Sequence, residues 1–369
     1  MLLGEAISKC EHVAGVPLQP AVAQRLNEVY LSKNAHATTQ IEGNTLTEEE
    51  VLKRVRHELP LPPSQEYLGQ EIDNVVAAYN EIVDDVLHSR PLTLTVDRVK
   101  QFNRLILQDL PAHHEVNPGE IRSKSVIVGS VYRGAPAEDC EHLLQRLCSW
   151  LEDLRATATG PSRKPVAILS AIVAHLYLAW IHPFWDGNGR TARLIEFQVL
   201  VRAGVPTLAA HVLADFYNRT RSEYYRVLAK TSREPHFPVE DFIKYALQGF
   251  VDELREQIGV IREQQLYVTW ENFVHSLFRD RNSTACIRQR KLVLALPHGA
   301  FTPKSRLVEL TPTLTRDYAT KTKKTVTRDI NALTEMGLIT IGRTGVRPLV
   351  EQLHAFLPLR ALPDEPEDA

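Results

Sequence analysis

Residues 181–193 read IHPFWDGNGRTAR, and this stretch decides how the fold is interpreted. It follows the longest apolar run of the chain, PVAILSAIVAHLYLAWI (residues 165–181), and leads into a segment of helical pattern at 189–204. Glycines in such a loop let main-chain N–H groups approach an anion, and the positive end of the helix that begins there attracts negative charge. The stretch therefore predicts an anion-binding turn between two helices.

The polar side chains of this turn complete a reaction site. Arg190 and Arg193 are three residues apart, so both lie on one face of the first helical turn, near the bound anion. Asp186 supplies a hard oxygen ligand that suits Mg²⁺ beside a phosphate. Histidine titrates near neutrality, so His182 can take a proton from an incoming hydroxyl. Each residue alone has an ordinary structural explanation, but together they predict phosphoryl or nucleotidyl transfer.

The same residues carry a family resemblance. From His182 to Arg190 the chain matches the Fic signature, HPFx[D/E]GN[G/K]R, at every fixed position, and Arg193 matches the arginine that follows it. The chain thus resembles Fic-domain protein adenylyltransferases. The resemblance implies a mainly α fold, with a Fic-type helical core and a β-hairpin flap that covers a nucleotide. It also implies transfer of AMP from ATP to a Ser, Thr or Tyr hydroxyl of a protein.

The resemblance assigns a role to each residue of the turn. His182 would be the general base that deprotonates the target hydroxyl, and Asp186 would hold Mg²⁺. Arg193 would bind the γ-phosphate of ATP. The other ATP-binding residues that it implies in this turn are Gly187, Asn188, Gly189, Arg190, Thr191 and Ala192.

Two further segments resemble parts of the nucleotide pocket. Residues 119–131, GEIRSKSVIVGSV, resemble the flap, with the nucleotide side formed by Val128, Gly129, Ser130 and Val131. RSEYYRVL (221–228) resembles the segment that closes the adenine pocket, with Tyr224 and Tyr225 as the contacts. On pattern alone, an exposed hairpin and core tyrosines remain open for these two segments.

Residues 38–44, TTQIEGN, resemble the Fic inhibitory motif, [S/T]xxxE[G/N], placed ahead of the core as in the second class of the family. Thr38 and Glu42 match its fixed positions. A carboxylate at a helix end can pair bidentately with Arg193 and take the partner of the γ-phosphate. We therefore expect Glu42 to restrain transfer from within the ATP site. Without the resemblance, Glu42 would be interpreted as a surface charge at a helix end.

Periodicity divides the chain into four regions. Residues 1–92 are predicted to be helical and to carry the inhibitory motif, 93–265 to be the Fic catalytic core, 283–352 a winged-helix domain and 353–369 an acidic tail. The predicted helices of the first two regions are 20–36, 46–58, 66–88, 94–109, 138–156, 164–181, 189–204, 219–230 and 239–265.

The C-terminal region has the element order of a winged helix-turn-helix. Three helical segments precede two β-prone segments, LITI (338–341) and VRPLV (346–350), joined by a glycine-containing turn. Residues 281–349 contain 13 Lys or Arg against four Asp or Glu, although the whole chain has a net charge of −2. A basic module on an acidic body is typical of nucleic-acid partners. Residues 281–349 are therefore predicted to contact DNA or, as many winged helices do, protein.

Composition excludes several other classes. The four cysteines are scattered, without a CxxC pair, which argues against a disulfide framework and a cysteine zinc site and favours the cytoplasm. No secretory signal is evident at the N-terminus. The run at 165–181 is short for a membrane span and contains His175, so it is interpreted as a core helix, without a membrane partner.

Several functions remain open at this stage. The same fold could transfer UMP, phosphocholine or phosphate, although Gly189 argues against the phosphate-transferring branch, which has Lys there. Glu42 could instead orient a water that removes AMP from a target. A DNA-binding regulator with a nucleotide-sensing Fic core is the alternative of another class. The target protein is open, as are self-modification and a homodimer.

Overall fold

The computed structural model describes residues 1–111, 116–128, 132–232 and 237–356. These residues fall into two compact units, the first from Met1 to Gly259 and the second from Val260 onward. Gly129, Ser130 and Val131 of the predicted flap lie outside the described residues, as does most of the predicted acidic tail. The prediction of a mainly α fold is confirmed, because the described strands form only two short hairpins.

The first unit is helical. Its α-helices are α1 (Leu2–Gly15), α2 (Pro20–Ile41), α3 (Glu48–Val55), α4 (Glu66–Leu87), α5 (Val96–Ile106), α6 (Cys140–Thr157), α7 (Arg163–Ile181), α8 (Asn188–Arg202), α9 (Thr207–Ala210), α10 (Val212–Arg219), α11 (Arg221–Thr231) and α12 (Val239–Leu277). Short 3-10 turns at Ala137–Asp139 and Gly160–Ser162 lead into α6 and α7. Helix α12 contains the boundary between the units and continues well past the predicted end at 265.

Helix α7 lies at the centre of this unit, packed against α6 and α8. Its length and composition would suffice to cross a membrane, yet most of its apolar window is buried inside the unit. Ile168, Ile172 and Leu176 have no exposed surface. The apolar run is thus used as a core helix, whose C-terminal end delivers the 181–193 turn.

Helix α2 is longer than its pattern predicts. It continues to Ile41 and makes Glu42 its C-cap, whereas the periodicity predicts an end at 36. Thr38 and Thr39 are fully buried, and Thr39 Oγ1 bonds the carbonyl of Ala35 at 2.8 Å. Tertiary packing here outweighs the weak helix propensity of threonine. The extension gives Glu42 a helical scaffold.

A short antiparallel hairpin lies where the flap is predicted. Strand β1 (Ile127–Val128) pairs with β2 (Tyr132–Arg133), with Ile127 opposite Arg133 and Val128 opposite Tyr132. The hydroxyl of Tyr132 donates to the carbonyl of Trp180 at 2.6 Å. The hairpin is therefore fixed to the last turn of α7.

The second unit has its own core, built around Trp270, Leu292, Leu314 and Leu333. Its further elements are α13 (Thr284–Ala295), a 3-10 turn (Leu307–Glu309), α14 (Pro312–Tyr318), α15 (Lys323–Glu335), β3 (Ile339–Ile341), β4 (Val346–Pro348) and a 3-10 segment (Val350–Phe356). This is the element order from which a winged helix is predicted, and that assignment stays a prediction.

A buried ion pair joins the helices of the second unit. Arg288 of α13 makes a bidentate contact with Asp329 of α15 at 2.7 and 3.1 Å, and the hydroxyl of Tyr318 donates to the same carboxylate at 2.8 Å. Such a pair fixes the register of α13 against α15, because removing one partner would leave a buried charge.

Candidate active site

Residues 182–188, here called the catalytic turn, begin where α7 ends and lead into α8. His182 is the C-cap of α7 in the left-handed conformation, with φ 49° and ψ 57°, and its main-chain N–H bonds the carbonyl of Leu178. Burial lowers the pKa of His182 to about 4, although a hydrogen bond with the backbone of Ala179 acts in the opposite direction. The imidazole is therefore neutral at pH 7 and able to accept a proton.

The turn then closes on itself before α8 starts. The side-chain amide of Asn188 both accepts from the N–H of Phe184, at 2.9 Å, and donates to its carbonyl, at 2.8 Å. Gly187 has φ 77°, and a Cβ there would lie 2.9 Å from Asn103 Nδ2. The helix that starts here has first-turn main-chain N–H groups without partners inside the helix, as at any helix N-terminus. Any contact of Asn188 with a phosphate would come from its main chain, because its side chain is engaged.

Two arginines in the first two turns of α8 are buried. Arg190 and Arg193 are 3% and 2% exposed. Three of their N–H groups, Nε of Arg190 and both Nε and Nη1 of Arg193, are buried without a hydrogen-bond partner in the described part of the chain. Buried donors are nearly always satisfied in folded proteins. Two buried cations in the first turns of a helix, with nitrogens that lack a partner among the described residues, are suited to binding an anion.

Glu42 reaches into this anion site from the end of α2. Its Oε1 lies 2.6 Å from Arg193 Nη2, which also donates to the carbonyl of Thr38 at 2.9 Å. Burial alone would raise the pKa of Glu42, but the charges of Arg193 and Arg190 outweigh it and lower the pKa from its ordinary value. A Cβ on Gly189 would overlap Glu42 Oε1. The carboxylate thus fills the space above the first turn of α8.

Comparison with known proteins agrees with this geometry. Residues 93–200 match the profile of the Fic/DOC family. Residues 93–200 form a Fic domain. The chain is 27% identical over 245 residues to the protein adenylyltransferase fic-1 of Caenorhabditis briggsae, covering 66% of this chain and 44% of that protein. It is 29% identical over 220 residues to the protein adenylyltransferase Fic of Nematostella vectensis, covering 60% and 47%. The chain thus spans less than half the length of these relatives.

Solved structures share the fold. A Fic family protein from Desulfovibrio desulfuricans G20 aligns with a TM-score of 0.56 at 20% identity, over 92% of this chain and 90% of that one. Fic-1 from C. elegans aligns with a TM-score of 0.58 at 23% identity, over 71% and 72%. The prediction of a Fic-type helical core is confirmed.

Three of the predicted ATP-binding residues, Thr191, Ala192 and Tyr224, are buried in the structure. Thr191 and Ala192 have no exposed surface, and the N–H of Thr191 bonds the carbonyl of Gly187. Tyr224 is 3% exposed and its hydroxyl meets His175 Nε2 at 2.9 Å. Burial raises the pKa of Tyr224 well above its ordinary value. Any role of these three residues toward ATP remains a prediction that this packing does not test.

Tyr225 points elsewhere. It is 46% exposed, and its hydroxyl lies 3.4 Å from the carbonyl of Ile41 in the last turn of α2. The sequence groups Tyr225 with Tyr224 because they are adjacent, but adjacent positions of a helix face different directions. Tyr225 therefore contacts the segment that carries Glu42.

Two functional residues leave no signal in the sequence. Arg122 is 2% exposed; its Nε donates to the carbonyl of His182 at 2.7 Å, and its other nitrogens bond the carbonyls of Lys124 and Ala135 at the base of the flap. Asn103 of α5 donates to the carbonyl of Asp186 at 2.8 Å and accepts from the N–H of Gly119 at 2.9 Å. Both side chains connect the flap segment to the catalytic turn by hydrogen bonds to main-chain groups. Every residue type has these main-chain groups, so the sequence gives no sign of the contacts.

The predicted Mg²⁺ ligand is a single carboxylate. No three His, Cys, Asp or Glu side chains within the described ranges are grouped as a metal site. Asp186 is 53% exposed, and its Oδ1 accepts from Arg190 Nη2 at 3.1 Å. Mg²⁺ commonly takes one or two carboxylates and completes its shell with phosphates and water. Asp186 therefore fits a Mg²⁺ that arrives with a triphosphate.

Proposed function

We propose that this protein transfers AMP from ATP to a hydroxyl group of a protein, and that Glu42 restrains the reaction. The observation that carries the proposal is the pair of buried arginines in the first two turns of α8, three of whose nitrogens have no hydrogen-bond partner among the described residues. The neutral His182 lies at the other end of the turn that leads into this helix. An anion site beside a proton acceptor is what nucleotidyl transfer to a hydroxyl requires. The adenylyltransferase names of the relatives support the choice of AMP.

The residues divide the reaction among them. The hydroxyl gives its proton to the free ring nitrogen of His182, its oxygen bonds the α-phosphorus, and the bond from that phosphorus to the bridging oxygen of the β-phosphate breaks, releasing pyrophosphate. Arg190, Arg193 and the N–H groups of α8 balance the charge of the leaving group. When bound through Asp186, Mg²⁺ would neutralise further phosphate charge.

The position of the radioactive label tests this function. The Glu42→Gly variant is incubated with Mg²⁺ and either α-labelled or γ-labelled ATP, and labelled protein is counted, including the enzyme itself. We expect transfer from the α position only, and none after the additional change His182→Ala. Label from γ-labelled ATP would show phosphoryl transfer instead. Label in a correctly folded His182→Ala variant would remove the general-base role.

A second proposed activity, DNA binding, rests on the exposed basic residues of the second unit. Lys321, just before α15, and Lys323, Lys324 and Arg328 in its first two turns are exposed. None of the four has an acidic partner in the part of the chain that the structure describes. Unpaired cations at one helix end are the groups that neutralise DNA phosphates. We propose that the second unit is a winged helix and that α15 contacts DNA.

Salt dependence tests the DNA proposal. Duplex binding of the full chain should weaken steeply as salt rises, and Lys321→Glu with Lys324→Glu should flatten that dependence. Lys244→Glu, an exposed charge on α12 in the first unit, is the control and should leave the slope unchanged. If no duplex binds at low ionic strength, the second unit contacts protein.

A further inference from the structure

The last turn of α2 is held by side chains from α10 and α11. Arg221 Nη2 donates to the carbonyl of Ile41 at 2.6 Å, and its Nη1 to the carbonyl of Gln40 at 3.3 Å. The Tyr225 hydroxyl contacts the same Ile41 carbonyl at 3.4 Å, and Asn218 Nδ2 donates to Gln40 Oε1 at 2.5 Å. These contacts all fall on the two residues that precede Glu42.

These contacts act on the C-terminal end of α2, where the main-chain carbonyl groups need hydrogen-bond donors from outside the helix. The last carbonyls of a helix lack internal partners and carry the negative end of its dipole, so a guanidinium there satisfies both. Ile41 is 2% exposed and directly precedes Glu42. Fixing its carbonyl therefore fixes the backbone from which the Glu42 side chain reaches Arg193.

Arg221 is separate from the site that it would influence. No contact between its guanidinium and His182, Arg190 or Arg193 occurs among the described residues; besides the two carbonyls, it lies 5.9 Å from the ring centre of Tyr225. Arg221 is exposed, so the side chain can be shortened without opening a cavity in the core. An effect of Arg221 on transfer would thus pass through α2.

We propose that Arg221 is a positioning residue that holds the end of α2 in place and thereby keeps Glu42 on Arg193. The proposal rests on the proposed function, since it concerns the restraint of that same site. Helix α11 also carries Tyr224, whose hydroxyl is bonded to His175 in the core. Helix α11 is thus attached to the core through Tyr224 and contacts the end of α2 through Arg221.

Epistasis with Glu42 tests the proposal. Arg221→Ala should raise AMP transfer threefold to tenfold when Glu42 is present, and should change it little in the Glu42→Gly background, because a restraint already removed cannot be released again. Arg226→Ala is the matched control: Arg226 lies on the same helix, is exposed and pairs with Glu223. It should leave the rate unchanged in both backgrounds.

Amide hydrogen exchange of residues 38–44 gives a readout that does not depend on transfer. Exchange should be faster in Arg221→Ala than in wild type and unchanged in Arg226→Ala, because lost end contacts let the last turn open more often. Arg221→Lys keeps one donor group, so its exchange rate should lie between those of wild type and Arg221→Ala.

The two proposals fail in different ways. If Glu42→Gly transfers no AMP, the proposed function fails, and faster exchange confined to Arg221→Ala would still support the holding role. If exchange at 38–44 is the same in all variants, Arg221 does not hold α2. If Arg221→Ala raises transfer equally with and without Glu42, Arg221 acts on another step and the proposal is overturned.

Discussion

Arg193 is a buried cation with two kinds of partner. One of its nitrogens, Nη2, is shared between Glu42 and the carbonyl of Thr38, while Nε and Nη1 have no partner among the described residues. Arg193 is buried whereas the Glu42 side chain is 30% exposed, so loss of Glu42 would leave a buried cation uncompensated. A triphosphate would supply that compensation from outside. The Arg193–Glu42 pair therefore compensates the charge of the arginine when no nucleotide is bound, while two of its nitrogens stay without a partner among the described residues.

The residue-scale prediction concerns Glu42. Glu42→Gly should raise AMP transfer at least tenfold, which corresponds to about 1.4 kcal/mol, because Arg193 becomes available to the γ-phosphate. The added change Arg193→Ala should lose much of that gain, since both residues act through one contact. Rates are measured as self-modification with α-labelled ATP. Glu58→Gly, an exposed carboxylate after α3, is the control and should have no effect.

Two results would contradict the restraint. An unchanged rate in Glu42→Gly would mean that Glu42 is only a charge at a helix end. A large fall would point to Glu42 as a catalytic residue, as removal of AMP from targets requires.

The site residues that could be predicted from the sequence are those that lie together in one short segment. His182, Asp186, Arg190 and Arg193 fall within 12 residues, so their spacing alone places them on one turn. Arg122 and Arg221 bond main-chain carbonyls of segments distant in the chain. Any residue type offers such a carbonyl, so no spacing or pairing in the sequence could identify these contacts.

At the scale of elements, Asn103 connects α5 to two loops at once. Its amide lies between Gly119, at the start of the flap segment, and the carbonyl of Asp186 in the catalytic turn. Both Gly119 and Gly187 have positive φ, and a Cβ on Gly187 would lie 2.9 Å from Asn103 Nδ2. The amide thus sets the distance between the flap and the turn.

The element-scale prediction is that Asn103→Asp lowers the rate of transfer roughly tenfold, about 1.4 kcal/mol, while ATP affinity changes less. The carboxylate keeps an acceptor for Gly119 but has no donor for the Asp186 carbonyl. Single-turnover rates and ATP binding are measured separately.

Asn74→Asp is the matched control for this change. Asn74 is a buried asparagine of α4 that donates to the carbonyls of Gln108 at 2.7 Å and Ile106 at 3.4 Å, and among the described residues it makes no hydrogen bond to residues 182–188. It should lower stability without the same loss of rate. Equal losses of rate in folded preparations of both variants would show that Asn103 only supports the fold.

The order of the elements could be predicted, whereas their ends could not. Most predicted helices of the first unit are present, but the end of α2 lies at Ile41 because buried Thr38 and Thr39 are held by tertiary packing. Helix α1, over Leu2–Gly15, has no counterpart in the prediction. Short helices and helix ends depend on contacts with distant segments, and these the local pattern does not contain.

At the scale of the whole molecule, the buried His211 and the half-buried His182 make the stability of the first unit depend on pH. Burial lowers the pKa of His211 to about 3, and that of His182 to about 4. His211 Nδ1 accepts from Asn34 Nδ2 at 3.0 Å, which requires a neutral ring. Asn34 belongs to α2, so this contact also attaches the helix that carries Glu42.

The sign of the pH dependence follows from these values. In both cases the folded pKa lies below the unfolded value of about 6.5, so the unfolded chain binds the protons first as pH falls. The contribution of these two histidines to the free energy of unfolding is therefore complete above about pH 7 and is progressively lost as the pH falls below about 6.5. Carboxylates titrate mainly below about pH 4.5, so the window from pH 7 to 5.5 isolates the histidines.

We predict that the free energy of unfolding of the first unit falls by roughly 2 kcal/mol between pH 7 and pH 5.5, with similar contributions from His182 and His211. Denaturant unfolding is followed by tryptophan fluorescence in a Trp270→Phe background, which leaves Trp150, Trp180 and Trp185 in the first unit. His211→Asn should lower stability at pH 7 yet reduce the slope against pH, since one proton fewer is gained on unfolding. His142→Asn makes the same change at an exposed position and should keep the full slope. A slope that His211→Asn leaves intact would mean that His211 takes up its proton in the folded chain as readily as in the unfolded one. The Asn34 side chain could then not donate to Nδ1 of His211 as the structure shows.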